Sequence, residues 1–125
     1  MYYQMAIQRL QMIKNKKTNS VKVQKIEIAK ILADGKEEKA RIKVEHIIRD
    51  DFLIEAYEIL ELFAELIHGR IKQITNSKEC PADLKEAVAS LIWAANNVGK
   101  FILNIFFITY PINIFLIIEK ILRSF

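Results

Sequence analysis

The feature that most constrains this chain is the absence of helix breakers over its first half. Neither Gly nor Pro occurs between Met1 and Asp34, nor between Lys36 and His68, and Gly35 alone separates the two runs. With only three Gly and two Pro in 125 residues, and Leu, Ile, Ala, Lys and Glu abundant, the composition favours helices over sheet. Asp34-Gly35 supplies the stop, because Gly accepts the left-handed conformation that closes a helix. Glu37 and Glu38 then fall in the first turn of the next helix, where carboxylates meet free backbone N–H groups. The expected unit is an αα-hairpin with a very short turn.

In the first helix, from Tyr2 to about Ala33, the apolar residues Met5, Ala6, Leu10, Ile13, Val21, Ile26, Ala29 and Leu32 recur at helical spacing. The polar stretch Lys14–Ser20 is its weakest part. The second helix is expected from about Lys36 to Gln73. Ala40, Val44, Ile48, Phe52, Ala56, Leu60, Phe63, Ile67 and Ile71 step mostly by four along its predicted apolar face. Thirty-eight residues amount to roughly 57 Å of helix, and periodicity this long argues for coiled-coil-like packing or assembly. Asn76 and Ser77 read as loop. Pro81 suits the first turn of a third helix that runs to Ala95 and docks through Leu84, Ala87, Val88, Leu91, Ile92 and Ala95.

Charge is segregated along the chain. Met1–Lys43 carries eleven Lys and Arg against four acids, a balance of +7, whereas Val44–Ala95 carries five against ten, a balance of −5. A basic arm beside an acidic arm suits head-to-tail self-association, or a basic face laid on an anionic surface. Lys14, Lys16, Lys17, Lys22 and Lys25 are the expected contacts to an anionic membrane or an acidic partner. Two solvated helix faces are the plainer reading of the same pattern.

Catalytic and metal chemistry find little footing. A di-metal carboxylate site in a bundle wants Glu-x-x-His, so that both ligands point inward one turn apart. Here Glu45 and His46 are adjacent and diverge by about 100° around the helix. His46 and Asp50, one turn apart, read as a local pair. Cys80 stands beside Glu79 with no neighbouring His, which disfavours a thiolate nucleophile, and a single cysteine excludes an internal disulfide. No phosphate-binding Gly-rich loop, nucleophile elbow or zinc spacing appears. Aromatic residues are not interleaved with the lysines, so nucleic-acid binding is a weak third class. The expectation is a non-enzymatic protein with no cofactor, no metal and no nucleic-acid partner. The start of the chain lacks the pattern of a secretory signal, which points to the cytoplasm.

The runs "ARIKVEHIIRDDFLIEAYEILELFAELI" and "KECPADLKEAVASLIWAA" closely resemble the core of the Increased Sodium Tolerance (IST) family, ESCRT-III-like regulators of the vacuolar sorting AAA ATPase. Arg41, Val44, Glu45, His46, Ile48, Arg49, Ala56, Glu58, Ile59, Leu60 and Glu61 match the family pattern, and "AIQRLQMIKNKK" resembles its first helix. The resemblance covers about Ala6 to Ala95. It implies an all-α, ESCRT-III-like core: a long antiparallel helical hairpin with shorter helices packed against it. It also implies co-assembly with ESCRT-III subunits, a homo- or hetero-polymer, and regulation of the ATPase in endosomal, multivesicular-body sorting. The protein would then be cytoplasmic and peripheral at endosomal membranes. Arg41, Glu45, His46, Arg49, Asp50 and Glu58 are the residues it implies for partner binding or assembly.

The expected domain is 1–95, an incomplete IST-like helical domain, followed by a divergent apolar tail at 96–125. The tail holds eighteen consecutive uncharged residues, Phe101–Ile118, and eight Ile, and lacks the Pro-Glu-Leu helix and ATPase-binding tail helices of the family. Its Ile, Phe, Asn and Lys are residues of A/T-rich codons, as an unspliced or mispredicted end would encode. Eighteen residues also reach the lower edge of a membrane span. The rival reading is therefore a tail-anchored membrane protein in which Phe101–Ile118 spans, flanked by Lys120 and Arg123.

Overall fold

A computed structural model of the chain describes residues 2–97. Helix α1 runs Tyr2–Ala33, α2 Glu37–Gly69, α3 Ile71–Asn76 and α4 Lys85–Asn97, with a 3-10 turn at Ala82–Leu84 before α4. No strand occurs among the described residues, so the fold is all-α as expected. Helix α1 passes through Lys14–Ser20 unbroken; the Thr18 hydroxyl donates back to the Lys14 carbonyl at 2.9 Å. The described residues divide into two compact units, Gln11–Ile59 and a second formed by residues 2–10 with residues 60–97.

The first unit is the hairpin. Gly35 adopts φ +77°, its N–H donates to Leu32 O at 3.0 Å, and the Lys36 N–H donates to Ile31 O at 3.2 Å. Both bonds satisfy carbonyls that the end of α1 leaves unpaired. Past the turn, α1 and α2 pack antiparallel. Lys14, Lys17, Val21, Gln24, Ile28 and Ile31 form the inward row of α1, and Ala40, Lys43, Ile47, Asp50, Ile54 and Tyr57 that of α2, all buried or half-buried. Each row alternates steps of three and four, the heptad spacing of two helices that share a seam. Val21, Ile28, Ala40 and Ile47 make its apolar core, with Ile31 and Ile54 against them.

This seam corrects the predicted apolar face of α2. Of the residues assigned to it in this unit, Ala40 is buried, but Val44, Ile48, Phe52 and Ala56 are exposed, Phe52 by 68%. A helix advances about 100° per residue, so each step of four carries a row about 40° further round. By Phe52 the row has rotated about 120° away from Ala40 and off the seam. Alternating threes and fours cancel this drift. In α1 the same correction moves Ile26, Ala29 and Leu32 to the exposed side and places Ile28 in the core.

The second unit has its own core. The predicted helix to Gln73 is interrupted after Gly69: the Arg70 N–H turns back to Ile67 O at 3.1 Å, and α3 starts at Ile71. Gly69 weakens the helix, and the break lets Ile71 and Ile74 fold under α2. Ile67, Ile74, Cys80, Leu84, Ala87 and Val88 are buried together, with Phe63, Ile71, Leu91 and Ile92 packed on them. Leu84, Ala87, Val88, Leu91 and Ile92 of the expected apolar face of the last helix therefore serve in the core, while Ala95 lies outside the residues whose side chains are described, and Pro81 precedes a 3-10 turn rather than opening the α-helix directly. The Arg70 guanidinium pairs with Asp83 and donates to Gln73 Oε1 at 3.0 Å, tying the break to the turn before α4.

Candidate interaction surface

In the hairpin unit ion pairs cross from α1 to α2. Lys17 Nζ meets Asp50 Oδ1 at 2.8 Å, Lys25 Nζ meets Asp51 Oδ2 at 3.6 Å, and Lys43 pairs with Glu27. Lys17 and Asp50 occupy inward positions, so the lysine stem runs along the seam while its charge is answered there. Polar residues at such positions specify register at some cost in stability. Asp50 thus takes its partner from the opposite helix, which corrects the expected local pair with His46. The hydrogen bond from Lys43, together with its charge, holds the Glu27 carboxyl below its ordinary pKa.

The expected partner-binding residues fall into two groups. Asp50 is half-buried and Arg41 is tied to Glu37 at 2.7 Å along α2. Glu45, His46, Arg49 and Glu58 are exposed and make no ion pair among the described residues. His46 edges a shallow groove of about 240 Å3 with Gln24, Glu27, Ile28 and Lys43. Of the expected membrane-facing lysines, Lys17 and Lys25 are engaged with α2, Lys14 is half-buried, and Lys16 and Lys22 stand exposed and make no ion pair among the described residues.

Sequence reasoning missed a second pair of rows, on the outward sides of the hairpin. Met12, Val23 and Ile26 on α1, and Ile48, Phe52 and Ile59 on α2, are exposed. The signal lay in their alternating three-and-four spacing, which repeats that of the seam roughly half a turn away.

Among the described residues, no group of three or more His, Cys, Asp or Glu could hold a metal ion. Cys80 is buried in the apolar core. Within the same residues no helix is long and apolar enough to cross a membrane; the candidate span Phe101–Ile118 and the boundary at 96–125 lie largely or wholly outside them.

Residues 1–102 match the family model Ist1, described as regulator of Vps4 activity in the MVB pathway. An IST1-like protein of Dictyostelium discoideum is 42% identical over 94 residues, covering 75% of this chain and 26% of that protein. The vacuolar protein sorting-associated protein IST1 of Saccharomyces cerevisiae is 39% identical over 98 residues, covering 72% of this chain and 33% of that protein. The chain spans about a quarter to a third of the length of these curated relatives.

Proposed function

The chain belongs to the Ist1 family, whose description is regulation of Vps4 activity in the MVB pathway, and on that premise we propose that it is an ESCRT-III-like assembly protein of endosomal sorting. It binds ESCRT-III subunits through the hairpin and, through them, modulates the vacuolar sorting AAA ATPase. The supporting observation is the match over residues 1–102. The hairpin adds a physical rationale: it presents charged side chains that make no ion pair among the described residues.

Glu45, His46, Arg49 and Glu58 are the partner contacts in this reading, since their charges and hydrogen-bonding groups remain open to another molecule. Arg41 and Asp50 act at one remove, Arg41 through Glu37 and Asp50 by fixing α2 against Lys17. On α1, Lys16 and Lys22 are the lysines best placed for anionic lipid, whereas Lys14 lies half-buried in the inward row and Lys17 and Lys25 would first have to leave Asp50 and Asp51. The protein would then work in the cytoplasm, peripheral at endosomal membranes.

The test is direct binding of the purified chain to individual ESCRT-III subunits, followed by ATPase assays with and without the bound subunit. Glu45→Lys/Arg49→Glu should lose subunit binding while keeping a helical circular dichroism spectrum. A natural chain that binds no subunit and leaves ATPase turnover unchanged refutes the reading. The uncharged run Phe101–Ile118 favours a second reading, a tail-anchored protein with a cytosolic hairpin. Resistance to carbonate extraction, abolished by deleting 96–125, would establish that alternative.

A further inference from the structure

We propose that residues 101–110 turn back on α4 and dock over the exposed indole of Trp93, closing a small αα-hairpin within the second unit. The inference goes beyond the subunit-binding reading and does not depend on it. It starts from the two sides of α4. Ala87, Val88 and Leu91 face the core, and at about 100° per residue Trp93 stands roughly half a turn away from them. Trp93 is 66% exposed. Tryptophan is large and mostly apolar, and folded proteins keep it largely buried, so an indole this open asks for a cover. One turn before it, Ala89 is exposed and Ser90 half-buried. Both are small, and the distance between packed helices is set by the side chains at their contact, so a second helix can come close to α4 beside the indole.

The sequence that follows α4 supplies the cover. Residues 101–110 read FILNIFFITY, without a charge and with only Asn104, Thr109 and Tyr110 able to hydrogen-bond through a side chain. A helix apolar on almost every side is one that proteins bury. Pro111 limits the segment, since it lacks an N–H and disfavours helix in the residue before it. Ten residues make about 15 Å of helix, and the way back along α4 from Asn97 to Ala89 is about 12 Å, so the segment reaches past Trp93. Gly99, just beyond the end of α4, suits the left-handed conformation that closes a helix and lets the chain reverse. Tethering decides between possible occupants. Held by residues 98–100, the segment meets the Trp93 face at an effective concentration on the order of mM, which a separate molecule does not reach. A bilayer competes poorly for it, because a helical span needs about twenty apolar residues and Pro111 divides the uncharged run 101–118.

Trp93 is the only tryptophan of the chain, so its fluorescence reads the contact directly. The test uses the purified full chain without membranes, ESCRT-III subunits or the ATPase, so that its failure leaves the subunit-binding reading untouched. The natural chain should emit as a buried indole at every protein concentration. Phe101→Asp/Ile105→Asp, which places charge in the segment, should shift emission to the red. It should also raise acrylamide quenching at least about threefold, as the indole leaves the largely buried state usual for tryptophan. Ala89→Arg, which alters no residue of the segment, should do the same by blocking its approach. In both variants the buried thiol of Cys80 should still react slowly with a thiol reagent, which shows that the core beneath α4 is intact. Natural-chain emission typical of an indole in water overturns the proposal. Emission that turns blue only as protein concentration rises gives the face to a second copy, and emission that does so only on adding phosphatidylcholine–phosphatidylserine vesicles gives it to a bilayer; either result overturns it too. So does quenching in either variant that matches the natural chain.

Discussion

Replacing Gly35 isolates what the turn contributes, because a Cβ built there meets no atom within 4 Å while φ stands at +77°. Any cost of a side chain at this position is thus one of backbone conformation and not of collision. Holding an L-residue left-handed costs about 1–2 kcal/mol. The lost freedom of the unfolded chain returns about 0.4–1 kcal/mol of that. Gly35→Ala should therefore destabilise by about 0.5–1 kcal/mol, and Gly35→Val by more, about 1–2 kcal/mol, because β-branched residues tolerate positive φ least. Gly35→Asn should fall nearest the natural chain, since its short polar side chain visits this region readily. Urea unfolding followed by circular dichroism measures the series. At a slope of about 1–3 kcal/mol/M, a loss of 1 kcal/mol lowers the midpoint by about 0.3–1 M. If Asn, Ala and Val variants unfold at the same urea concentration as the natural chain, the closing conformation is not what holds α1 against α2.

The corrected face of α2 predicts opposite outcomes for two similar changes: Ile47→Ser should cost about 2–4 kcal/mol, and Phe52→Ser should stay within about 0.5 kcal/mol in the same urea assay. In the second unit, Ile74→Ala should destabilise by about 2–5 kcal/mol, since the side chain is only 1% exposed and lies in a cluster of other buried apolar residues. Lys43→Met should return the Glu27 carboxyl to its ordinary titration range, read by carbon-detected NMR. With Lys43 present the folded pKa is depressed, so the pair's contribution is present above the unfolded glutamate value of about 4.3 and is lost as pH falls through the folded one.

Local chemistry carried much of this protein. The two long helices, the stop at Gly35 and the acidic first turn of α2 follow from propensities and capping, which act between residues close in sequence. The apolar face of α4 was equally legible, because a short helix against one core leaves little room for its rows to drift. Only the tertiary structure decided which rows of α1 and α2 face each other. In a long helix a stride of four and a stride averaging three and a half separate progressively, and the partner helix selects between them. That choice turned Ile48 and Phe52 outward and brought Lys17 to Asp50, where a helix considered alone would pair Asp50 with His46. The break at Arg70 was likewise a tertiary decision. A single Gly lowers helix stability by about 1 kcal/mol, too little to end a helix alone, but burial of Ile74 and the pairing of Arg70 with Asp83 favour the folded-back path.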